Sequence, residues 1–503
     1  MRKLSHPLTW IPQFNLIFAM KTREQNYSAE SPAKRASDQA LCASGPTRRM
    51  PPEGRPLCGW KISTEIFRLA ALRRSLCALA PLALFPAAAN ATKLDLSSNV
   101  DIKAANYTNL MTGDQRKGQA VYSENASLGF IIKGIKLEKT ENSSMDVGIV
   151  LNSVGAGAST ATITAPQFSE AAGRYPSVDG VPFVKEAYIK VYNFLNPRTT
   201  VTFGRQAFTL GQGITLADDG LGLPGARIES DKLWHNIKGE FFFFRPFKDT
   251  DYATVTGAGI YYPSNEGLWH LYHFWEQNPQ PAAGLGYNTI SSTKKFTGAR
   301  YFLNYNQLNF DGEFILQRGS AKETAAKTVD YTGYAFLIKG LWSQDIAFFG
   351  PSKMRLAYGK SSGNSGVVDA KDKAFLPDFG HRFKGVEREG FGEIAGASLY
   401  DIIQTSATKN GLPNGISGLN IINLGADLPY KKLTLSADFY KFRAAQNVNK
   451  GSIQIGSELD LKAVYPMGEG LRLKAVYAVF NPMGVYAQTT PIKLVSFSLT
   501  AKF

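Results

Sequence analysis

Residues 92–503 contain no cysteine: Cys42, Cys58 and Cys77 all lie within the first 91 positions. That excludes cysteine nucleophiles, thiolate zinc sites and iron–sulfur clusters from most of the chain. It also suits an exported bacterial envelope protein that crosses an oxidising compartment. Histidine is nearly as scarce. After residue 91 there are only His235, His270, His273 and His381. His270 and His273 are three apart, which puts them on opposite faces of a strand and away from a shared metal, so surface or girdle positions are expected. No apolar run reaches the roughly 20 residues of a membrane-spanning helix. There is no clear amphipathic helical stripe and no G-x-S-x-G elbow, and Asp378-Phe379-Gly380 stands without the His-Arg-Asp catalytic loop of a kinase. The stretch ADDGLGLPGAR, Ala217 to Arg227, has the Gly220-x-Gly222-x-x-Gly225 spacing of a dinucleotide turn. No helix opens after it, so its glycines read as turn formers in a loop. Nothing here implies an enzyme, a cofactor, a bound metal or a nucleic-acid partner.

The first 91 residues differ from the rest. They hold 13 of the 56 Lys+Arg and 5 of the 41 Asp+Glu, so residues 92–503 keep 43 against 36, a net charge of +7 out of +15. Arg68, Arg73 and Arg74 precede the apolar run Leu76 to Phe85, and Ala89-Asn90-Ala91 follows. Basic flank, short apolar stretch and small-x-small site together read as a signal peptide over residues 61–91. Residues 1–60 are expected to be a non-native or disordered extension, and 92–503 to form one domain.

At the other end, Phe503, Ala501, Leu499, Phe497 and Val495 alternate with Lys502, Thr500, Ser498 and Ser496. Strict period-2 alternation ending on an aromatic is expected of the last strand of an outer-membrane barrel, where one face meets lipid and the other water. Phe503 also resembles the assembly signal of such barrels. The pattern recurs over 424–428, 433–439, 459–465 and 471–479, with turn signals at Pro429–Lys432 and Pro466–Gly470. A mean hydropathy of −0.17 is compatible with this, because a barrel strand shows lipid only every second residue. The 12% aromatic share suits interfacial girdles. The chain is thus expected to be all-β, a transmembrane antiparallel β-barrel preceded by a signal peptide. At about 23 residues per strand and connection, roughly 16 to 18 strands fit. Longer polar connections are expected at about 155–182, 209–232, 277–295 and 361–392.

The polar faces carry charge. A hairpin joining 459–465 to 471–477 across a five-residue turn would set Lys462 opposite Lys474, with Arg472 two residues away and Glu458 and Asp460 able to screen them. Like charges facing each other destabilise a sheet by up to about 1 kcal/mol. Arg300 and Arg355 also fall on polar faces. A wall of cations with interspersed carboxylates favours anionic solutes.

Three segments, Val184-Lys-Glu-Ala-Tyr-Ile-Lys-Val-Tyr, Thr202-Phe-Gly-Arg-Gln206 and Gly-Ala-Arg227-Ile, resemble the alginate-export family of outer-membrane porins. Near the C-terminus, Ile455-Gly-Ser-Glu458-Leu-Asp460-Leu and Leu471-Arg-Leu-Lys-Ala-Val-Tyr477-Ala-Val-Phe480 are similar to that family's G-x-E-L-D strand and its aromatic-tipped successor. The resemblance implies an 18-stranded barrel with an arginine-rich pore for an anionic uronate polymer, and it adds Arg205 and Arg227 as pore candidates. Simple alternation puts Arg205 in phase with Val201 and Phe203, so it faces inward only if the strand bends at Gly204.

The expectation is a channel of the bacterial outer membrane that passes anionic solutes, acidic saccharides or small anions, by passive diffusion. Pore-lining candidates are Arg205, Arg227, Arg300, Arg355, Glu458, Asp460, Lys462, Arg472 and Lys474. Outer-membrane lipid, lipopolysaccharide and the barrel-assembly machinery are the expected partners. Alternatives are a general small-solute porin, a barrel enzyme, or an adhesin, whose mark would be a plugged lumen and large ordered loops.

Overall fold

The computed structural model describes residues 93–503 except 113–114, 138–141, 161–162, 164, 166–167, 169–174, 176, 249–250, 265, 280–288, 366–369, 400–415, 448–450 and 487–488. The expected extension and signal peptide lie outside the described residues. No helix occurs among those described.

Eighteen strands form the wall. The first six are β1 (Lys93–Thr112), β2 (Gln115–Lys136), β3 (Ser144–Ala158), β4 (Phe183–Tyr192), β5 (Thr199–Gln206) and β6 (Leu223–Trp234). Next come β7 (Ile237–Phe244), β8 (Thr254–Pro263), β9 (Gly267–Asn278), β10 (Ser291–Tyr305), β11 (Leu308–Lys322) and β12 (Tyr334–Ile346). The last are β13 (Gly350–Ser361), β14 (Ile416–Tyr430), β15 (Leu433–Asn447), β16 (Gln454–Gly468), β17 (Leu471–Pro482) and β18 (Ile492–Lys502). Each pairs antiparallel with the next. β18 then pairs with β1, from Asn99↔Lys502 to Thr108↔Lys493, and the sheet closes. Closure removes the open edges that hydrocarbon would leave without hydrogen-bond partners.

Period 2 sets what each face meets, and the barrel is inside out relative to a soluble protein. Leu424, Phe439, Leu459, Leu461, Tyr477, Val495 and Phe497 are exposed on the outer face, whereas Asp438, Glu458, Asp460 and Ser496 are buried. Outward Trp234, Tyr305, Trp342, Phe348, Tyr430 and Tyr465 cluster at one end of the strands, where an aromatic ring spans lipid and water. A closed barrel with this apolar belt is an outer-membrane protein.

The two ends differ. At the belt of Trp234 and Tyr430, the connections 235–236, 306–307, 431–432 and 469–470 are two residues long. At the opposite end the chain makes its long connections, 159–182, 207–222, 279–290 and 362–415. The second is shorter than the sequence suggests, because β6 already starts at Leu223, and the fourth is longer. Gly220 and Gly222, with φ of 80° and 68°, sit in the loop as expected. Gly225 lies in β6, opposite Gly204.

The turn signals at Pro429 and Pro466 overestimate their turns. Both prolines remain in the ladder, paired with Thr434 and Arg472, and a register shift follows Pro466. Proline is tolerated where the ladder is irregular. As a result, the β16–β17 hairpin is displaced by two residues from the expected register: Lys462 opposes Val476 and Lys474 opposes Val464. A two-residue displacement keeps both lysines on the inner face.

The long connections turn inward. Phe208, Leu210, Leu216, Phe375, Ile394 and Leu399 from them are buried against Phe242, Phe274, Phe296, Phe442 and Phe480 of the wall. All five wall phenylalanines lie toward the long-connection end of their strands, so an apolar core fills that end of the barrel. At about 1.5–3 kcal/mol per buried large side chain, this packing anchors the loops inside.

Candidate functional site

Below this core, the inner wall from β13 to β17 carries charges of alternating sign that touch one another. Arg355 sits between two carboxylates: Nη1 donates to Asp427, and Nη2 donates to Asp438 Oδ1 at 3.0 Å. Between Arg355 and Asp438 in the ladder lies Gly425, where a Cβ would stand 2.0 Å from Asp438 Oδ1; only glycine leaves room for this fork. Asp438 Oδ2 is 3.5 Å from Lys462 Nζ. Lys462 Nζ lies 3.0 Å from Glu393 Oε1, and Lys474 Nζ lies 2.7 Å from the same oxygen. The candidates Arg355, Lys462 and Lys474 thus become one chain through Asp438 and Glu393.

Glu458 and Asp460 do more than screen. Glu458 accepts hydrogen bonds from the backbone N–H of Ile394 at 2.6 Å and of Ala395 at 3.0 Å, and Asp460 accepts one from Glu393 N at 3.0 Å. Three successive amides of the longest connection therefore dock on two wall carboxylates. Gly392 makes the approach, with φ of 86° and a would-be Cβ 2.5 Å from Glu458 Oε2. Burial opposes ionisation of Glu393, but Lys474, Lys462 and Lys103 outweigh it and hold its carboxyl well below the ordinary carboxylate range.

Two further candidates form separate clusters. Arg227 donates to Glu240 Oε2 through Nε and Nη2, at 3.0 and 2.7 Å, and pairs with Glu229 at 2.9 Å. The other oxygen of Glu240 accepts from Tyr261 at 2.7 Å and lies 3.5 Å from His270. His270 is thus a buried member of an inner network rather than a surface or girdle residue. His273, on the opposite face, meets Thr297 Oγ1 at 2.8 Å. Arg300 forks onto Asp311 at 2.7 and 2.8 Å and donates to Gly211 O at 2.7 Å. Neighbouring Gln212 N donates to Glu313 at 2.7 Å, so the 207–222 connection is tied to the wall here.

Arg205 stands apart. Gly204 has a φ of 115°, but Arg205 stays in register opposite Ala187, and its Nη1 donates to Leu221 O at 2.9 Å. It joins none of the charged clusters described above. Arg472 and Lys339 make no ion pair among the described residues; both line cavities.

One cavity of about 530 Å³ is lined by Lys339, Arg355 and Lys462 against Asp311, Asp427 and Asp438. Another, of about 720 Å³, is lined by Lys103, Lys384, Arg472, Lys474 and Lys502. Its acidic side chains are Asp101, Glu124 and Glu387, and Phe503 also borders it. Among the described residues, no group of acidic, histidine or cysteine side chains is arranged to hold a metal ion.

The two inward connections also clasp each other. His381 N donates to Gly213 O and Ala217 N to Phe379 O, both at 2.8 Å, and Asp219 Oδ1 accepts from the amides of Arg382 and Phe383 at 2.8 and 2.6 Å. The His381 ring lies 3.0 Å from Glu389 and 3.4 Å from Asp219. The bond to Glu389 raises the imidazole above its ordinary value against burial, with Asp219 and Asp218 adding to the rise.

Sequence reasoning missed Glu393, Glu240, Lys103 and Lys339. Asp427 and Asp438 were visible on polar faces, and the need of each inward arginine for a partner could have singled them out. Glu393 is in a loop, where no periodicity points to it.

No protein-family model matches the sequence, and no curated protein matches it. Among solved structures, the chain is similar to Pseudomonas aeruginosa OccK5 (OpdH), at 11% identity and a TM-score of 0.49 over 81% of this chain and 98% of that one. Acinetobacter baumannii OccAB4 shows 13% identity and a TM-score of 0.48 over 81% and 98%. Pseudomonas aeruginosa OccK2 (OpdF) in complex with glucuronate shows 10% and 0.47 over 81% and 98%.

Proposed function

We propose that this chain is a passive outer-membrane channel for small anionic solutes. The observation that carries the proposal is the larger cavity, where five basic side chains outnumber three acidic ones inside a lipid-belted barrel. Most other inner cations, Lys474 among them, are neutralised by carboxylates, so Arg472 with Lys502 supplies the field that an entering anion meets. Such a field lowers the barrier for anions without any covalent step. The resemblance to alginate-export porins adds acidic saccharides to the solute class. Inward packing of the long connections favours a short uronate over a polymer.

A second reading has one observation in its favour. The apolar core at the long-connection end is the mark of a plugged barrel, as an adhesin would have. Planar-bilayer recording of the purified protein separates the two. Current whose reversal potential in a salt gradient reports anion selectivity supports the channel, and block by glucuronate or polyuronate identifies the saccharide class. Cation selectivity without block overturns the anion proposal, and absence of current favours the plugged barrel.

A further inference from the structure

We propose that the short-turn end of the lumen holds two solute compartments side by side, with residues 384–393 of the longest connection as the partition between them. The proposal rests on the channel reading above and says how the lumen is divided.

Position along the strands is the first support. The smaller cavity reaches Asn309, the second residue of β11, and Asp427, near the end of β14. The larger one reaches Arg472, the second residue of β17, and Lys502, the last of β18. All four positions lie at the short-turn end, so the cavities occupy the same depth. They differ in sector. The smaller is bounded by β10 to β16, the larger by β16 to β18 with β1 and β2, and they meet on β16, where Lys462 lines one and Val464 the other.

The partition is the second support. Gly390 and Phe391 face the smaller cavity, and Lys384, Val386 and Glu387 face the larger. This segment is fixed at both ends. Glu393 grips Lys462 of β16 and Lys474 of β17, beside the seam, while Glu387 pairs with Lys103 of β1. A strap tethered to the wall at two places divides a lumen, whereas a lid would be free along one side.

The chemistry of the two sides differs accordingly. The smaller compartment has balanced charges and the rings of Phe302, Phe391 and Tyr440, which fit a net-neutral solute with an apolar part, such as a zwitterion. The larger compartment, with its excess of cations, fits an anion.

Two single-cysteine variants test this, Asn309→Cys for the smaller compartment and Ser498→Cys for the larger, in the full chain with Cys42, Cys58 and Cys77 changed to serine. Each is labelled with a bulky methanethiosulfonate, labelling is confirmed by mass, and retained strand content by circular dichroism. Each label is expected to remove part of the single-channel conductance, and the double variant the sum of both. Labelled Ser498→Cys should lose anion selectivity severalfold, and labelled Asn309→Cys should slow zwitterion uptake into liposomes severalfold. Complete block by one label, no effect of either, or equal effects of both on both solutes would overturn the partition while leaving the channel standing. If the unlabelled protein passes no current, the channel and the partition fall together.

Discussion

Lys462 and Lys474 share one carboxylate oxygen: their ammonium groups lie 3.0 and 2.7 Å from Oε1 of Glu393. Two like charges on neighbouring strands are thereby turned into a clamp on a loop. The Glu393 side chain is only 14% exposed, so solvent screens the clamp weakly. Removing one partner of such a pair typically costs about 3–5 kcal/mol, because the remaining charges stay buried without compensation. Glu393→Gln should therefore release the loop locally while the barrel persists. Limited proteolysis should cut within residues 384–399 at least tenfold faster, with unchanged strand content by circular dichroism. A cleavage rate equal to that of the parent would show that the backbone bonds to Glu458 and Asp460 suffice.

The two latches of this loop should respond oppositely to pH. Glu393 has a lowered value in the folded chain, so its contribution is present above the ordinary carboxylate range and is lost only as pH falls through the lowered value. His381 has a raised value, so its contribution is complete below about 6.5 and is lost as pH rises through the raised value. The charged groups beside His381 are Glu389, Asp219 and Asp218; Lys384 and Lys339 lie near Glu389 and help to hold its carboxyl low. Loop cleavage should thus stay slow at about pH 5 and quicken severalfold between about pH 6 and pH 9. In His381→Asn that rise should vanish. A rise that persists in the variant would assign it to another group.

How much of this was legible in the sequence depends on periodicity. Strand faces were readable because lipid and water impose period 2: Leu459 and Leu461 had to face out, and therefore Glu458, Asp460 and Lys462 in. Register was less so. Pro466 marks a breaker in sequence, but it stays in the ladder beside a register shift, and that moved Lys462 from Lys474 to Val476. The inward fold of the loops left no periodic trace at all. Glu393, Ile394 and Ala395 reach the wall through backbone amides, which every residue carries, so this role depends on where the chain travels and not on side-chain type. The charges of the inner wall are more balanced than the row of cations read from the strands. Arg227, Arg300 and Arg355 do lie inside, but each has its own carboxylate partner.

Arg355 offers a direct test of whether those partners set selectivity. Asp438→Asn would leave Arg355 with Asp427 alone and weaken the hold on Lys462, shifting the smaller cavity from balanced to net positive. The anion-to-cation permeability ratio, read from the reversal potential in a potassium chloride gradient, should rise about two- to fivefold. The effect should shrink at high salt, where charges are screened beyond about 3 Å at 1 M. An unchanged ratio would mean that ions do not pass this stretch of wall.

Phe503 closes the ladder as well as ending the chain. Its N–H donates to Ser98 O at 3.0 Å and its main-chain oxygen accepts from Ser98 N at 2.9 Å, next to the β1–β18 seam, while the residue is 78% exposed. Deleting it removes both bonds, each worth about 1 kcal/mol, at the seam whose pairing converts a sheet into a barrel. It also removes the aromatic expected to be read during assembly. Replacing Phe503 by aspartate keeps the backbone bonds and exchanges the ring for a carboxylate. If the ladder matters most, the deletion should lower the yield of folded barrel, seen as the fast-migrating band on unheated gels, while the aspartate variant folds normally in detergent. If recognition matters most, both variants should fold in detergent yet fail to accumulate in the outer membrane of cells. Normal accumulation of both variants would remove Phe503 from either role.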